Sequence, residues 1–257
     1  MSLLQKDTIY VYNGPGVSKT GIKHLKKSLK RKKVRLISPK EVLQGFWVHE
    51  AALFIMPGGA DIPYTEKLNG RSNALIRGYV ENGGSYLGIC AGAYYAGADL
   101  EFAKGTEIEV IGNRELSFFP GLVEGPTFSP YHYGTYEGAR AAYIEWNLGH
   151  KLTAPIFYNG GCHFINTDLY PNVLELGVYK DLPNQPVAAI ECAVGRGKAI
   201  LSGVHFEYDP FLLDNTDQHL KDIIPVLKKC ESERIYLLEN LLNRLIFRRV
   251  DLSNQTQ

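Results

Sequence analysis

Four short, largely apolar runs, separated by turns and by stretches of helical character, constrain this chain's fold more than any other feature in it. Thr8-Ile9-Tyr10-Val11-Tyr12 ends in the turn cluster Asn13-Gly14-Pro15-Gly16. Val34-Arg35-Leu36-Ile37 is the second run and Ala52-Leu53-Phe54-Ile55-Met56 the third, stopped by Pro57-Gly58-Gly59. Gly84-Ser85-Tyr86-Leu87 is the fourth. Ser18 is placed to cap a helix running through Leu25 and Leu29, and a second helix is predicted over 65–81. Near-continuous apolar strands alternating with helices mean a mostly parallel sheet covered on both faces, an α/β, doubly wound architecture. Ligands in such sheets sit beyond the carboxyl ends of the strands. The loops 13–16 and 57–61 and the segment at Cys90 are therefore expected on one rim.

From Glu101 onward the rhythm changes to β-hairpin and loop. Glycine, proline and aromatic residues dominate 118–136 without a helical period, which reads as a loop-rich insertion. Segments 187–193 and 198–202, joined by Gly195-Arg196-Gly197, read as a hairpin, and 217–248 as an amphipathic helix broken near Pro225. No repeat, linker or low-complexity tract divides the chain. A single domain over 1–250 is expected, with a frayed tail at 251–257.

The fourth run leads into Gly88-Ile89-Cys90-Ala91-Gly92-Ala93, and Gly-x-Cys-x-Gly has the form of a nucleophile elbow. Its glycines permit a cramped turn, the thiol stands clear of the sheet, and the N–H of Ala91 is available to an oxyanion. A small-residue helix start is predicted over 91–98, and a helix N-terminus favours a thiolate. Gly203-Val204-His205-Phe206-Glu207 follows the hairpin's second strand. If that strand runs parallel to the one before Cys90, His205 reaches the same rim and can polarise the thiol, while Glu207 holds the imidazole tautomer. The plainer alternative keeps Cys90 as a small buried hydrophobe and the His-x-Glu as a loop cap.

The remaining composition excludes more than it assigns. The net charge of +1 over 257 residues gives no reason to expect a nucleic-acid or anionic-membrane partner. Eight basic residues between Lys23 and Arg35 read as a solvated helix face. The first seven residues lack a signal peptide's apolar core, and no apolar run approaches membrane-spanning length. Cys90, Cys162, Cys192 and Cys230 are scattered without metal-ligand spacing, so a reduced, cytoplasmic setting is expected, with no metal and no cofactor. Cys162 and His163 are adjacent, a spacing that rarely chelates one ion. Asn13–Ser18 lacks the Walker pattern and reads as an ordinary turn. Sixteen tyrosines against two tryptophans suggest a Tyr-rich surface or cleft. Tyr131-His132-Tyr133 with Tyr136 and Arg140 either line that cleft, for a planar or anionic ligand, or pack as a lid.

The order Cys90, His205, Glu207 matches the triad of class I glutamine amidotransferases, and the chain resembles that superfamily. More narrowly, it is similar to the family of the N-terminal domain of eukaryotic biotin–protein ligases, which also occurs as stand-alone bacterial proteins. The narrower resemblance rests on Pro57-Gly58-Gly59-Ala60-Asp61-Ile62-Pro63-Tyr64 and on 84–95 around the elbow. It continues through Phe118-Phe119-Pro120-Gly121, Gly125-Pro126, Glu137-Gly138-Ala139-Arg140, Tyr158-Asn159-Gly160-Gly161 and Gly203-Val204-His205. The resemblance implies a flavodoxin-like fold, with Pro57-Gly58-Gly59 as the oxyanion loop. Gly58, Gly59, Ala91, Tyr94 and Asp61 are the oxyanion or substrate-binding candidates beside the triad.

Two departures matter. Amidotransferases that use glutamine usually carry Gln four residues after the nucleophile, where this chain has Tyr94. A phenol cannot make the same pair of amide hydrogen bonds, which argues against glutamine. The usual Pro between the catalytic His and Glu is Phe206 here. Gly195-Arg196-Gly197-Lys198 is superficially like a biotin-adenylating loop, but it sits in the hairpin that presents His205, and no stretch reads as a ligating domain. The expected partners are a small-molecule amide or acyl substrate and an acceptor or ligase protein. The rivals are a binding or regulatory module that keeps the cleft without turnover, and redox sensing through Cys90.

Overall fold

The apolar runs do form the centre of a sheet. The computed structural model describes residues 6–246; the tail expected at 251–257 lies outside them. Seven strands precede the insertion's far end: β1 Thr8–Tyr12, β2 Lys33–Ile37, β3 Ala51–Met56, β4 Ser85–Ile89, β5 Gly97–Phe102, β6 Val110–Asn113 and β7 Phe119–Gly125. Six follow: β8 Arg140–Asn147, β9 Lys151–Tyr158, β10 His163–Phe164, β11 Val173–Tyr179, β12 Val187–Val194 and β13 Gly197–Ser202. The helices are α1 Lys19–Ser28, α2 Pro39–Gln44, α3 Ile62–Leu68, α4 Arg71–Glu81, α5 Ala91–Tyr94, α6 Ile223–Lys229 and α7 Glu231–Ile246.

The sheet's heart is parallel, in the order β2-β1-β3-β4-β13. Beyond β13 it continues through β12, β10, β7, β5 and β6 and branches at β12 into β11, β8 and β9; most of these pairs are antiparallel. Alternating side chains divide the core. Phe54 and Tyr86 pack beneath α3 and α4 with Tyr64, Leu68, Ile76 and Tyr79. Leu53, Ile55, Leu87 and Ile89 face the other way, against Ile22 and Leu25 of α1 and Leu237, Leu241 and Leu245 of α7. Both β1 and β4 are buried at every residue, as strands sandwiched between helix layers must be. Among the described residues no helix is long and apolar enough to cross a membrane.

Three helix expectations need correction. The segment 65–81 is two helices broken at Asn69-Gly70, because Gly70 takes a φ of +83°. Glu115, distant in sequence, caps the second helix by accepting the Gly70 N–H (2.7 Å) and an Asn73 Nδ2 hydrogen (2.9 Å). The helix expected over 91–98 lasts one turn, since the chain re-enters the sheet at Gly97, packed against Val123 where no Cβ would fit. The C-terminal helix starts at Ile223 rather than at 217, where the chain makes turns, and breaks at Cys230 rather than at Pro225. Pro225 lies in the first turn of α6, where a missing N–H forfeits no intrahelical bond.

Candidate functional site

Because β4 and β13 are parallel neighbours, the residues that follow them emerge at the same end of the sheet. The Cys90 N–H donates to the Ser202 carbonyl (2.8 Å), locking the elbow to the strand that delivers His205 three residues later. His205 is fixed from the other side by β9, its N–H donating to the Phe157 carbonyl (2.8 Å). The adenylate-like Gly195-Arg196 turn lies at the opposite end of β13, where Arg196 bonds Glu81 and Asn82.

The elbow is strained. Cys90 has φ +50° and ψ −109°, a conformation that side-chain-bearing residues rarely adopt. Close packing holds it there: a Cβ on Gly88 would collide with the Gly92 carbonyl, and one on Gly92 with the Met56 carbonyl. The Tyr86 hydroxyl donates to that same Gly92 carbonyl (2.9 Å). Since α5 is a single turn, the favourable end of a helix dipole contributes less than the sequence suggested.

Glu207 accepts from, or pairs with, His205 Nδ1 through Oε1 at 2.8 Å, and both side chains are buried. Among the described residues its Oε2 has no hydrogen-bond partner, so the carboxylate's charge is directed at the ring. Nε2 is thereby left free of Glu207, and the ring converges with Cys90 on one corner of the cleft: a Cβ on Gly58 would lie 2.7 Å from His205 Cε1 and 3.5 Å from Cys90 Cβ. The thiol also makes a long 3.9 Å contact with the Asn159 carbonyl. Burial alone would push the His205 pKa down; Glu207 and Cys90 together outweigh it and raise it to about 10. The ring is therefore an imidazolium at neutral pH.

A brace behind the dyad has no sequence signature. Ser28 Oγ donates to the Glu207 carbonyl (2.8 Å), and Arg234 Nη1 donates to the Phe206 carbonyl (2.9 Å) and to Ser28 Oγ (3.3 Å). His24 of α1 stacks on Tyr208 with ring centroids 4.1 Å apart. Its Nδ1 accepts the Asp209 N–H (2.9 Å), while Nε2 is buried without a partner. Burial pushes the His24 pKa down to about 4, against the pull of Asp209. An unfolded chain protonates a histidine near pH 6.5, whereas the folded one resists until about 4. Stability should therefore fall as pH drops through that window, by roughly 3 kcal/mol at most from this group. His24→Asn, which keeps an acceptor for Asp209, should flatten the slope of urea-unfolding stability between pH 6.5 and 4. An unaltered slope would assign the loss to other groups.

The cleft above Cys90 has a volume of about 1240 Å³ and includes Gly58, Gly59, Asp61, Ala91, Tyr94 and His205 in its lining. The 57–61 loop is clamped to the 14–18 turn: Ser18 N–H donates to the Gly58 carbonyl (3.0 Å) and Ala60 N–H to the Gly16 carbonyl (2.8 Å). In that bridge Gly59 is the unbonded residue, so its own N–H faces away from the turn. Gly59 has φ +147°, and a Cβ there would strike the Gly16 carbonyl. Gly58 must also lack a side chain, since its Cβ would come within 2.7 Å of His205 Cε1.

Two candidates at the cleft each have a polar atom engaged by a distant residue. Asp61 Oδ2 accepts from Arg114 Nε (2.8 Å) and Nη2 (2.6 Å), so it anchors the loop. The Tyr94 hydroxyl donates to the Gly160 carbonyl (3.3 Å), supporting the 159–161 segment beneath the site. Sequence reasoning missed the lining loop 107–110, which carries no motif. It also assigned no role to Asn159, although Tyr158-Asn159-Gly160-Gly161 marked the segment.

Comparison with known proteins places the chain in a family and a fold. The family model for the biotin-protein ligase N terminus matches residues 7–257. An uncharacterized protein of Chlamydia muridarum is 36% identical over 210 residues, covering 79% of this chain and 81% of that one. The biotin–protein ligase of Schizosaccharomyces pombe is 32% identical over 247 residues; the match takes in 92% of this chain but only 37% of the ligase. A glutamine amidotransferase structure from Thermotoga maritima superposes with a TM-score of 0.55 at 12% identity, covering 95% of this chain and 99% of that one. That likeness establishes the flavodoxin-like, amidotransferase-type fold.

Proposed function

This chain belongs to the biotin–protein ligase N-terminal family, and from that premise we propose that it is a cysteine-nucleophile acyl-transfer protein, an amide hydrolase or amidotransferase. The observation that carries the reading is the arrangement at the cleft floor: a strained Cys90, the His205 ring converging with it beside Gly58, and a buried Glu207 at 2.8 Å from that ring.

Cys90 Sγ attacks the carbonyl carbon of an amide, and the displaced C=O electron pair settles on oxygen, held by the N–H groups of Gly59 and Ala91. His205 gives its proton to the departing nitrogen as the C–N bond breaks, leaving a thioester. Water or a second nucleophile then attacks. His205 removes that nucleophile's proton and the thiolate leaves. The acceptor is a small molecule or a ligase partner, and a reducing, cytoplasmic setting suits the four free thiols. Tyr94, occupied by Gly160, supports a substrate other than glutamine.

Iodoacetamide followed by peptide mass spectrometry tests the reading. Cys90 should alkylate well ahead of Cys162 and Cys192, which are fully buried. A Cys90 no more reactive than those two would overturn the proposal.

A further inference from the structure

The cleft around Cys90 presents electron-rich groups almost everywhere. Among the described residues, neither Lys nor Arg lines it, whereas Glu107, Glu109 and Asp217 do. Arg114 sits behind the wall with its side chain only 7% exposed, and its Nε and Nη2 hydrogens both go to the lining residue Asp61. Glu109 Oε2 accepts the Gly105 N–H (2.6 Å), which fixes that carboxylate on its loop. Aromatic rings make up much of the remaining wall. Tyr131 packs edge-on against Phe102 and Tyr133, and Tyr133 keeps 57% of its surface exposed. Nearer the nucleophile, Asn159 donates through Nδ2 to the Thr135 carbonyl (2.9 Å), which orients the amide and leaves Oδ1 buried with no donor. The His205 imidazolium on the floor is balanced by Glu207.

Carboxylates, ring faces and an orphaned carbonyl all call for the same complement, a positively charged group bearing N–H donors. We propose that the substrate is the amide or acyl derivative of a cationic molecule, an ammonium- or guanidinium-bearing compound, and that anionic substrates are disfavoured. A free amino acid's carboxylate would find neither Lys nor Arg here to pair with among the described residues, and the His205 ring is already paired with Glu207. Of the planar or anionic ligand expected for the tyrosine group, this reading keeps the planar option and drops the anionic one. This inference rests on Cys90 being the reactive centre of the cleft.

The test compares three methanethiosulfonates on the Cys230→Ser protein at pH 8, where an ordinary histidine is neutral. They carry a trimethylammonium, a hydroxyl or a sulfonate on the same ethyl arm. In each, the Cys90 thiolate attacks the reagent's sulfenyl sulfur and methanesulfinate leaves, forming a mixed disulfide. Normalised to a small free thiol, the cationic reagent should outpace the sulfonate by about tenfold or more at low salt. The ratio should shrink with added salt, and in the E107Q/E109Q/D217N variant. Equal normalised rates, or a faster sulfonate, would overturn the charge preference while leaving Cys90 reactive. No labelling by any of the three would remove both this inference and the acyl-transfer reading.

Discussion

Replacing His205 by alanine should slow alkylation of Cys90 by a small neutral electrophile by about a hundredfold or more at neutral pH, with the fold retained. A protonated ring beside the sulfur favours the thiolate, the form that alkylates, and among the described residues no Lys or Arg lines the cleft to take its place. His205 is also the one ring bonded to Glu207, at 2.8 Å. Removing it leaves a buried carboxylate with neither oxygen satisfied, so some stability will go as well, by about 1–3 kcal/mol. Glu207→Gln separates the two effects. Its amide oxygen can still accept from Nδ1–H, but the charge that raises the His205 pKa is gone, so alkylation should slow by about tenfold or more with a smaller loss of stability. The readouts are the pseudo-first-order rate of iodoacetamide labelling at Cys90 and far-UV circular dichroism. A His205→Ala protein that is folded and labels at the wild-type rate would dismantle the dyad.

The parts of the site legible in the sequence were those set by local chemistry. Gly-Ile-Cys-Ala-Gly announced a cramped turn because only glycines can bring Gly88 and Gly92 so close to neighbouring carbonyls. Ser18 announced a helix start because a hydroxyl before an apolar-periodic stretch caps the first turn, and it does accept the Gly21 N–H (3.1 Å). Buried parallel strands announced themselves through unbroken apolar runs. The parts that stayed hidden depend on partners far away in the chain. Glu115 caps the start of the second helix from more than forty residues downstream. Arg234 and Ser28, on helices at opposite ends of the chain, meet only because both pack on the same face of the sheet. No local pattern encodes such a meeting. Asp61 and Tyr94 show the converse limit: both line the cleft as expected, but their bonds to Arg114 and Gly160 come from distant segments that no local pattern announces.

Gly161 offers the sharpest test of how the dyad is held in register. A Cβ there would run into the Gly203 carbonyl, and one on Gly203 into the Cys162 carbonyl, so the 160–162 segment and the end of β13 touch backbone to backbone. Neither side can retreat. The Gly161 carbonyl accepts the Thr127 N–H (2.9 Å), the Thr127 hydroxyl (3.1 Å) and the Tyr158 hydroxyl (3.0 Å), while the Cys162 carbonyl accepts the Tyr179 hydroxyl (2.8 Å). Gly161→Ala must therefore prise two backbones apart at a cost of about 3 kcal/mol or more. Gly203 lies two residues before His205, so the same displacement should carry the imidazole away from the thiol and depress Cys90 labelling. Gly78 provides the contrast. It sits inside α4 with open space where a Cβ would go, so Gly78→Ala should stabilise by about 0.5–1 kcal/mol and leave labelling untouched. Urea denaturation and the labelling rate, measured on both variants, decide the matter. If Gly161→Ala proves as benign as Gly78→Ala, the backbone contact does not hold His205 in place, and the brace from Arg234 and Ser28 must do so alone.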